Sequence, residues 1–349
     1  MTGTDEFFGR RATIARAARL VAGAALGLVV GTALLAGGSD GAMALAPKPD
    51  PLPQPVTITI GVGKAAHLSP LGEISGRLKE MNVDLNIVDF IRYADARTAI
   101  ATGSLDMATI GPADLPILLS QNITNIVGLT GAGVSPKFVV TRNGVDIKTW
   151  EDLKGKRIGV APASAVWFQF AAMLKEVGVP YNSFTEVKIQ GAAPNAVAAL
   201  KREEVDAIIT WEPFESQPVA EGFGYWPEGL DYSKSKAVGA ELGLIVATRE
   251  ALTAKREAVL RVIWAYIEAV ERLNASKDEF ARAIAKFQGI DEPTAKRMTA
   301  NITLGNFLTL EQLQAQAKAF HEFGVFQKDV SAELADVYDP SIYKAAAGK

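Results

Sequence analysis

The stretch VVTRNGVDIKTWEDLKGKRIGV, residues 139–160, decides the architecture. Its β-branched opening, Val139-Val140-Thr141, runs into Arg142-Asn143-Gly144, a turn signal. A second β-branched run, Arg157-Ile158-Gly159-Val160, follows Leu153-Lys154-Gly155-Lys156. One series of strands ends here and another begins. Upstream, short apolar runs at 56–62, 84–90, 107–110, 126–129 and 138–141 alternate with helix-period segments at 70–81, 95–102 and 113–120. Downstream, runs at 157–160, 185–189, 207–210 and 244–247 alternate with helical segments at 163–177, 194–202 and 213–221. Strand–helix alternation predicts α/β layers, parallel sheets covered by helices on both faces. After Thr248 only amphipathic helices remain, at 257–274, 277–287, 292–300 and 310–323.

The break near Arg142 divides the chain into two Rossmann-like lobes. Residues 56–141 and 244–349 are expected to form the first and residues 142–243 the second, with the run at 244–247 returning to the first sheet. Two crossings between two lobes make a hinge around a cleft, with the helical tail packed on the first lobe.

Composition agrees with this size and class. A chain of 349 residues, 48% hydrophobic and 21% charged, is long enough for two domains and too apolar for disorder. A net charge of −3 offers no basic footprint for nucleic acid. The count of zero cysteines excludes a disulfide scaffold, a thiolate metal site, a cysteine nucleophile and a lipid-modified cysteine.

Residues 1–46 have the order of an export signal: Arg10, Arg11, Arg16 and Arg19, then an uncharged apolar stretch over 20–36, then small-residue sites at Ala42-Met43-Ala44 and Ala44-Leu45-Ala46. The adjacent Arg10-Arg11 resembles a twin-arginine signal. An uncleaved anchor is the alternative, since the apolar stretch approaches the ~20 residues needed to span a bilayer. An exported, cysteine-free chain points to a periplasm. Prolines at 47, 49, 51, 53 and 55 predict an extended polyproline spacer over 47–55.

In open α/β sheets, ligands bind at the carboxyl ends of strands, where helix N-termini expose free amides. Four such junctions are built from small residues and proline: Gly111-Pro112-Ala113-Asp114, Ala161-Pro162-Ala163-Ser164, Gly191-Ala192-Ala193-Pro194 and Trp211-Glu212-Pro213-Phe214. Together they suggest an anion-binding cleft. Ser164, followed by Ala165, either caps its helix or offers a hydroxyl to ligand, and Trp167 on the same helix is either core or cleft wall. Glu212 at a strand exit must be solvated, salt-bridged or ligand-facing. Lys64 and His67 follow the first strand and complete the candidate set.

Gly61-Val62-Gly63-Lys64-Ala65-Ala66 fits a dinucleotide-binding pattern, with Asp84 further on, but His67-Leu68-Ser69-Pro70 delays the helix that pattern requires. Only two histidines occur, His67 and His321, without a zincin, P-loop or nucleophile-elbow motif. No metal-ligand spacing and no cofactor motif stands out, and no catalytic set is expected.

Four stretches carry a family resemblance. Ile58-Thr59-Ile60-Gly61-Val62-Gly63-Lys64 looks like an opening strand with its ligand loop, and Ala99 to Ala108 followed by Gly111-Pro112-Ala113-Asp114 looks like a "G-x-x-D" element. Asp152-Leu153-Lys154-Gly155-Lys156-Arg157-Ile158-Gly159-Val160 is similar to a second-lobe signature, and Trp211-Glu212-Pro213-Phe214 to a "W-D/E-P-aromatic" corner. Over residues 56–340 the chain resembles the nitrate/sulfonate/taurine-type periplasmic substrate-binding proteins of ABC importers. The resemblance implies a type II periplasmic binding fold, no catalysis, and delivery of a small solute to a permease and its ATPase; the mature chain is expected to be a monomer. Lys64-Ala65-Ala66-His67 lacks the Gln-Lys pairing of many sulfonate binders, and Ser164-Ala165 stands where a Ser/Thr pair is frequent. Pyrimidine-precursor binding, a synthase of the same fold, and a ligand-presenting sensor partner are the alternatives.

Overall fold

Residues 45–162, 164–189 and 193–349 are described by the computed structural model. The apolar and basic parts of the expected export signal lie outside these residues, and so does Ala192.

The first sheet is laid down by β1 (Val56–Gly63), α1 (Ser75–Lys79), β2 (Val83–Phe90), α2 (Tyr93–Ala101), β3 (Met107–Ile110), α3 (Asp114–Ser120) and β4 (Ile126–Gly131). β1 pairs parallel with β2 and β3, and its apolar side chains Ile58, Ile60 and Val62 are fully buried. The second sheet follows with β5 (Val140–Arg142), β6 (Arg157–Val160), α4 (Ala165–Glu176), β7 (Thr185–Lys188), α5 (Ala193–Lys201), β8 (Ala207–Ile208), α6 (Gln217–Ala220) and β9 (Gly224–Tyr225). Then β10 (Leu244–Thr248) returns to the first sheet and inserts antiparallel between β3 and β4. The tail is helical: α7 (Arg249–Ala254), α8 (Arg256–Ala275), α9 (Lys277–Gln288), α10 (Glu292–Met298), α11 (Leu310–Glu322) and α12 (Ser341–Ala346).

The two sheets have the same plan. Their orders are β2-β1-β3-β10-β4 and β7-β6-β8-β5-β9, each with its single antiparallel strand supplied across the hinge. This corrects one expectation. The run at 138–141 does not close the first lobe: β5 pairs antiparallel with β8 and β9, and Val139 and Val140 are buried in second-lobe clusters. No helix intervenes between residues 132 and 139 to bring that run back to the first sheet, so the crossing precedes it. The helix expected over 70–81 is also modified, because a 3-10 turn over Ala66–Glu73 precedes α1 and buries Ser69 within it.

α8 anchors the tail. Val259, Val262, Ile263, Tyr266, Val270 and Leu273 recur at spacings of three and four and bury one face in the cluster that holds β1. Capping is explicit elsewhere: Ser276 accepts from the Glu279 amide at 3.2 Å, and Thr309 and Gln312 form a reciprocal box at the start of α11.

The proline-rich stretch is a strap, not a free spacer. The Ala46 carbonyl accepts from the Trp264 indole at 2.7 Å, and the Ala46 amide donates to the Ala346 carbonyl at 3.2 Å. Arg261 donates twice to the Asp50 carbonyl, at 3.0 and 2.6 Å, and Asn82 donates to the Leu52 carbonyl at 2.6 Å. The cause is the conformation itself. Extended proline-rich backbone makes no internal hydrogen bonds, so its carbonyls remain open to side-chain donors. A chain beginning at Pro47 therefore leaves the Trp264 indole without its acceptor. Calorimetry should place its Tm about 2–4 °C below that of a chain beginning at Leu45; equal values would show that the strap contributes nothing.

Candidate functional site

A cavity of about 450 Å³ opens between the lobes. The first lobe contributes the loop from Gly63 to His67, the start of α2 at Tyr93, and Asp114 at the start of α3. The second contributes Ser164 and Ala165 at the start of α4, Ile189 after β7, and Trp211 and Glu212 after β8. Its floor is the hinge. Ser135 and Lys137 come from one crossing, and Glu241 and Leu242 from the other.

The crossings are hydrogen-bonded to each other. Ala132 donates to Gly243 at 2.9 Å, Leu242 to Gly133 at 2.9 Å, and Ser135 to Ala240 at 3.1 Å. Lys137, only 3% exposed, reinforces this ribbon by donating from Nζ to the Ala240 carbonyl at 3.2 Å. Around it are the buried carboxylates of Glu215, Glu241 and Asp231. Glu215 accepts from the Phe138 amide, and Asp231 from the Lys137 amide at 3.0 Å. Burial lowers Lys137 to about 8 despite these acids, and burial raises Glu241 to about 7 and Glu215 well above the carboxylate range.

On the first-lobe wall, His67 Nε2 and the Tyr93 hydroxyl lie 2.6 Å apart. Gly243 sits against this pair, where a Cβ would come within 2.9 Å of the Tyr93 hydroxyl and 3.2 Å of His67 Nε2, so glycine is required by the close approach. Burial, with Lys137 adding to it, depresses His67 to about 3, and the ring is neutral at ordinary pH. Asp114 is ion-paired with Arg97 and accepts from the Gly111 amide at 2.8 Å. Its carboxyl is nonetheless shifted upward, because burial outweighs both partners.

Seven of the sequence-derived residues meet at the cavity: Lys64, His67, Asp114, Ser164, Ala165, Trp211 and Glu212. Several are already engaged by groups of the chain itself, Ser164 in the capping role that was one of its two expected readings. Lys64 directs its ammonium to Asp89 at 3.0 Å and to the Phe287 carbonyl at 3.1 Å. Ser164 is a helix cap, accepting from the Trp167 amide at 3.2 Å. Glu212 accepts from the Ser216 amide at 3.1 Å and from Asn301 of the first lobe at 2.9 Å, so it bridges the cleft. Gly111 and Pro112 lie behind the wall, outside the cavity lining. Trp167 turns away, donating to the Tyr181 hydroxyl at 2.5 Å and packing against both lobes' clusters. Phe214 packs into the cluster around Val140.

Tyr93, Lys137, Gln169, Glu215 and Glu241 line the cavity without having been expected there. Lys137 and Glu241 sit in crossings that read as ordinary loops. Gln169 did leave a signal: it is the one polar side chain within AVWFQFAAML, and a polar group in an apolar helix face needs partners.

Residues 52–289 match the model of the NMT1-like family. The taurine-binding periplasmic protein of Escherichia coli is 29% identical over 137 residues, 39% of this chain and 41% of that protein. The putative aliphatic sulfonates-binding protein of the same organism is 24% identical over 213 residues, 59% of this chain and 63% of that protein. The chain thus matches less than two thirds of the length of either relative. The crystal structure of the periplasmic aliphatic sulphonate binding protein of Escherichia coli superposes with a TM-score of 0.69 at 19% identity, covering 82% of this chain and 94% of that one. The two-lobed fold is therefore that of periplasmic binding proteins, and the chain belongs to the NMT1-like family.

The buried neutral imidazole has a pH signature. The folded protein holds His67 unprotonated well below 6.5, where the unfolded chain takes up a proton, so this residue removes stability as pH falls from about 6.5 toward 3. The loss is roughly 1 kcal/mol per pH unit in that window. Denaturant unfolding at pH 7 and pH 5 should show a smaller pH dependence in His67→Gln, which still reaches Tyr93, than in the wild type.

Proposed function

We propose that this chain is the solute-binding component of an ABC import system, exported to the periplasm by a cleaved N-terminal signal and acting there as a monomer. It captures a small polar or anionic organic solute, a sulfonate, taurine, nitrate or a related compound, and hands it unchanged to a permease and its ATPase. The cavity carries this reading. Its walls belong to different lobes and its floor is the hinge, so one ligand touching both walls has a higher affinity for the closed state than for the open one. The names of the taurine- and sulfonate-binding relatives support the solute class, and the shared two-lobed fold supports capture by closure.

Glu212 and Asn301 meet across the cleft at 2.9 Å and act as a strut of the closed form. Removing one hydrogen bond of this kind costs about 1 kcal/mol, or roughly fivefold in affinity. Asn301→Ala should therefore bind several-fold more weakly while circular dichroism shows an intact fold. Small-angle scattering of the wild type should give a smaller radius of gyration with solute than without; unchanged scattering at saturation, or recovery of a chemically altered solute, would overturn the reading. N-terminal sequencing of the exported protein should find Leu45 or Pro47 first, and recovery of Met1 from the membrane fraction would refute the cleaved signal.

A further inference from the structure

Two residues that line the cavity carry acceptor atoms that are left over. Glu241 is 3% exposed, its Oε2 has no hydrogen-bond partner, and among the described residues it makes no ion pair. Gln169 is also 3% exposed. Its amide nitrogen is committed to the carbonyls of Gly239 at 3.1 Å and Glu241 at 3.2 Å, which fixes the orientation of the side chain and leaves Oε1 as its unpartnered end. Both residues line the cavity, one on the hinge crossing and one on α4. An orphaned buried acceptor is costly, so two of them on residues already joined by a hydrogen bond mark a place built for a donor.

The sign of the donor follows from the charges nearby. Lys137 is the cation of the floor, the buried acids Glu215, Asp231 and Glu241 surround it, and buried Glu212 lies near Glu215. With Glu241 ionised, a bare anion would meet an unpaired carboxylate, whereas a cationic donor would offset it.

We propose that Glu241 and Gln169 receive a cationic hydrogen-bond donor, an ammonium or amidinium group, and that the captured solute carries such a group at one end. This rests on the solute-capture reading and narrows it. An anionic group at the other end of the same molecule would face the N-terminus of α4 at Ser164 and Ala165. A charge-assisted pair of this kind is worth tenfold or more in affinity.

Proton linkage gives a second readout. Glu241 faces Lys137 on the other crossing and Tyr338 ahead of α12, and Glu215, Asp231 and a neutral His67 also lie near that lysine. Burial holds Glu241 at about 7, so at pH 6 the empty site is largely protonated there and must release that proton to hold a cation. Lys137, lowered to about 8, gains charge over the same interval and acts in the same direction on a cation and in the opposite one on an anion.

The test is titration calorimetry of the full mature protein with matched pairs: taurine and ethanesulfonate, β-alanine and propionate, acetamidine and acetamide. At pH 8 at least one cationic member should bind tenfold or more tightly than its partner, and Glu241→Gln should reduce that ratio to within about twofold. In the wild type, the affinity of that cationic member should fall up to about tenfold from pH 8 to pH 6, while that of its uncharged or anionic partner holds or rises. Pairs that bind equally, a preference for the des-amino member, or a preference that survives in Glu241→Gln would overturn the assignment and leave solute capture standing. If Glu241→Gln does not fold, the wild-type pH dependence decides alone: an affinity for the cation that is flat between pH 8 and pH 6 overturns the assignment. Absence of binding by every member to folded wild type would count against solute capture itself.

Discussion

The structure depends on the mutual hydrogen bonding of two chain segments that run between the lobes. Ala132, Gly133 and Ser135 pair with Gly243, Leu242 and Ala240, and the Lys137 ammonium closes the ribbon from beneath. Segments joined in this way resist sliding past one another, so any relative motion of the lobes has to bend the ribbon as a unit. The same ribbon forms the cavity floor. Charge on the floor and the angle between the lobes are consequently not independent quantities in this protein.

Electrostatically, rim and floor differ. Rim cations are matched by local acids, Lys64 by Asp89, Arg92 by Asp95 and Arg97 by Asp114. The floor holds one lysine among several carboxylates, all nearly inaccessible to water. Helix N-termini, which the sequence marks as anion sites, are partly taken by the chain's own groups: Asp114 accepts the Gly111 amide, and Ser164 the Trp167 amide. What faces the cavity is therefore a mixture of fixed dipoles and buried acids rather than a simple anion trap.

Most of the architecture was legible in the sequence because it is written in local periodicity. Strands β1 to β4, β6, β7 and β10 stand where β-branched runs predict them, and three of the small junctions together with the loop after β1 bring Asp114, Ser164, Glu212 and His67 to one cleft. The misassignment of 138–141 has a physical origin: a three-residue strand carries no information about its partner, and β5 is held by pairing with β8 and β9, both distant in sequence. Two-residue β9 leaves no periodic trace at all. The floor residues were missed for a related reason. Lys137 and Glu241 acquire meaning only when two loops are brought together, and isolated charges in loops ordinarily face solvent. The strap likewise depends on donors from α8 and on Asn82, which no pattern within 45–55 specifies.

The insertion of β10 also sets an order of assembly. β3 and β4 do not touch within the first sheet, because the strand between them is made only after the whole second lobe. During synthesis the first sheet is therefore split, with the long-range pairings of its centre deferred, whereas all but the hinge ribbon of the second lobe is contiguous in the chain and free to close earlier. The α8 helix, the strap and α12 pack against the cluster that holds β1 of this sheet. The first sheet can close only once β10 has been made, and a nascent chain stopped before Leu244 presents two unsatisfied strand edges to its surroundings.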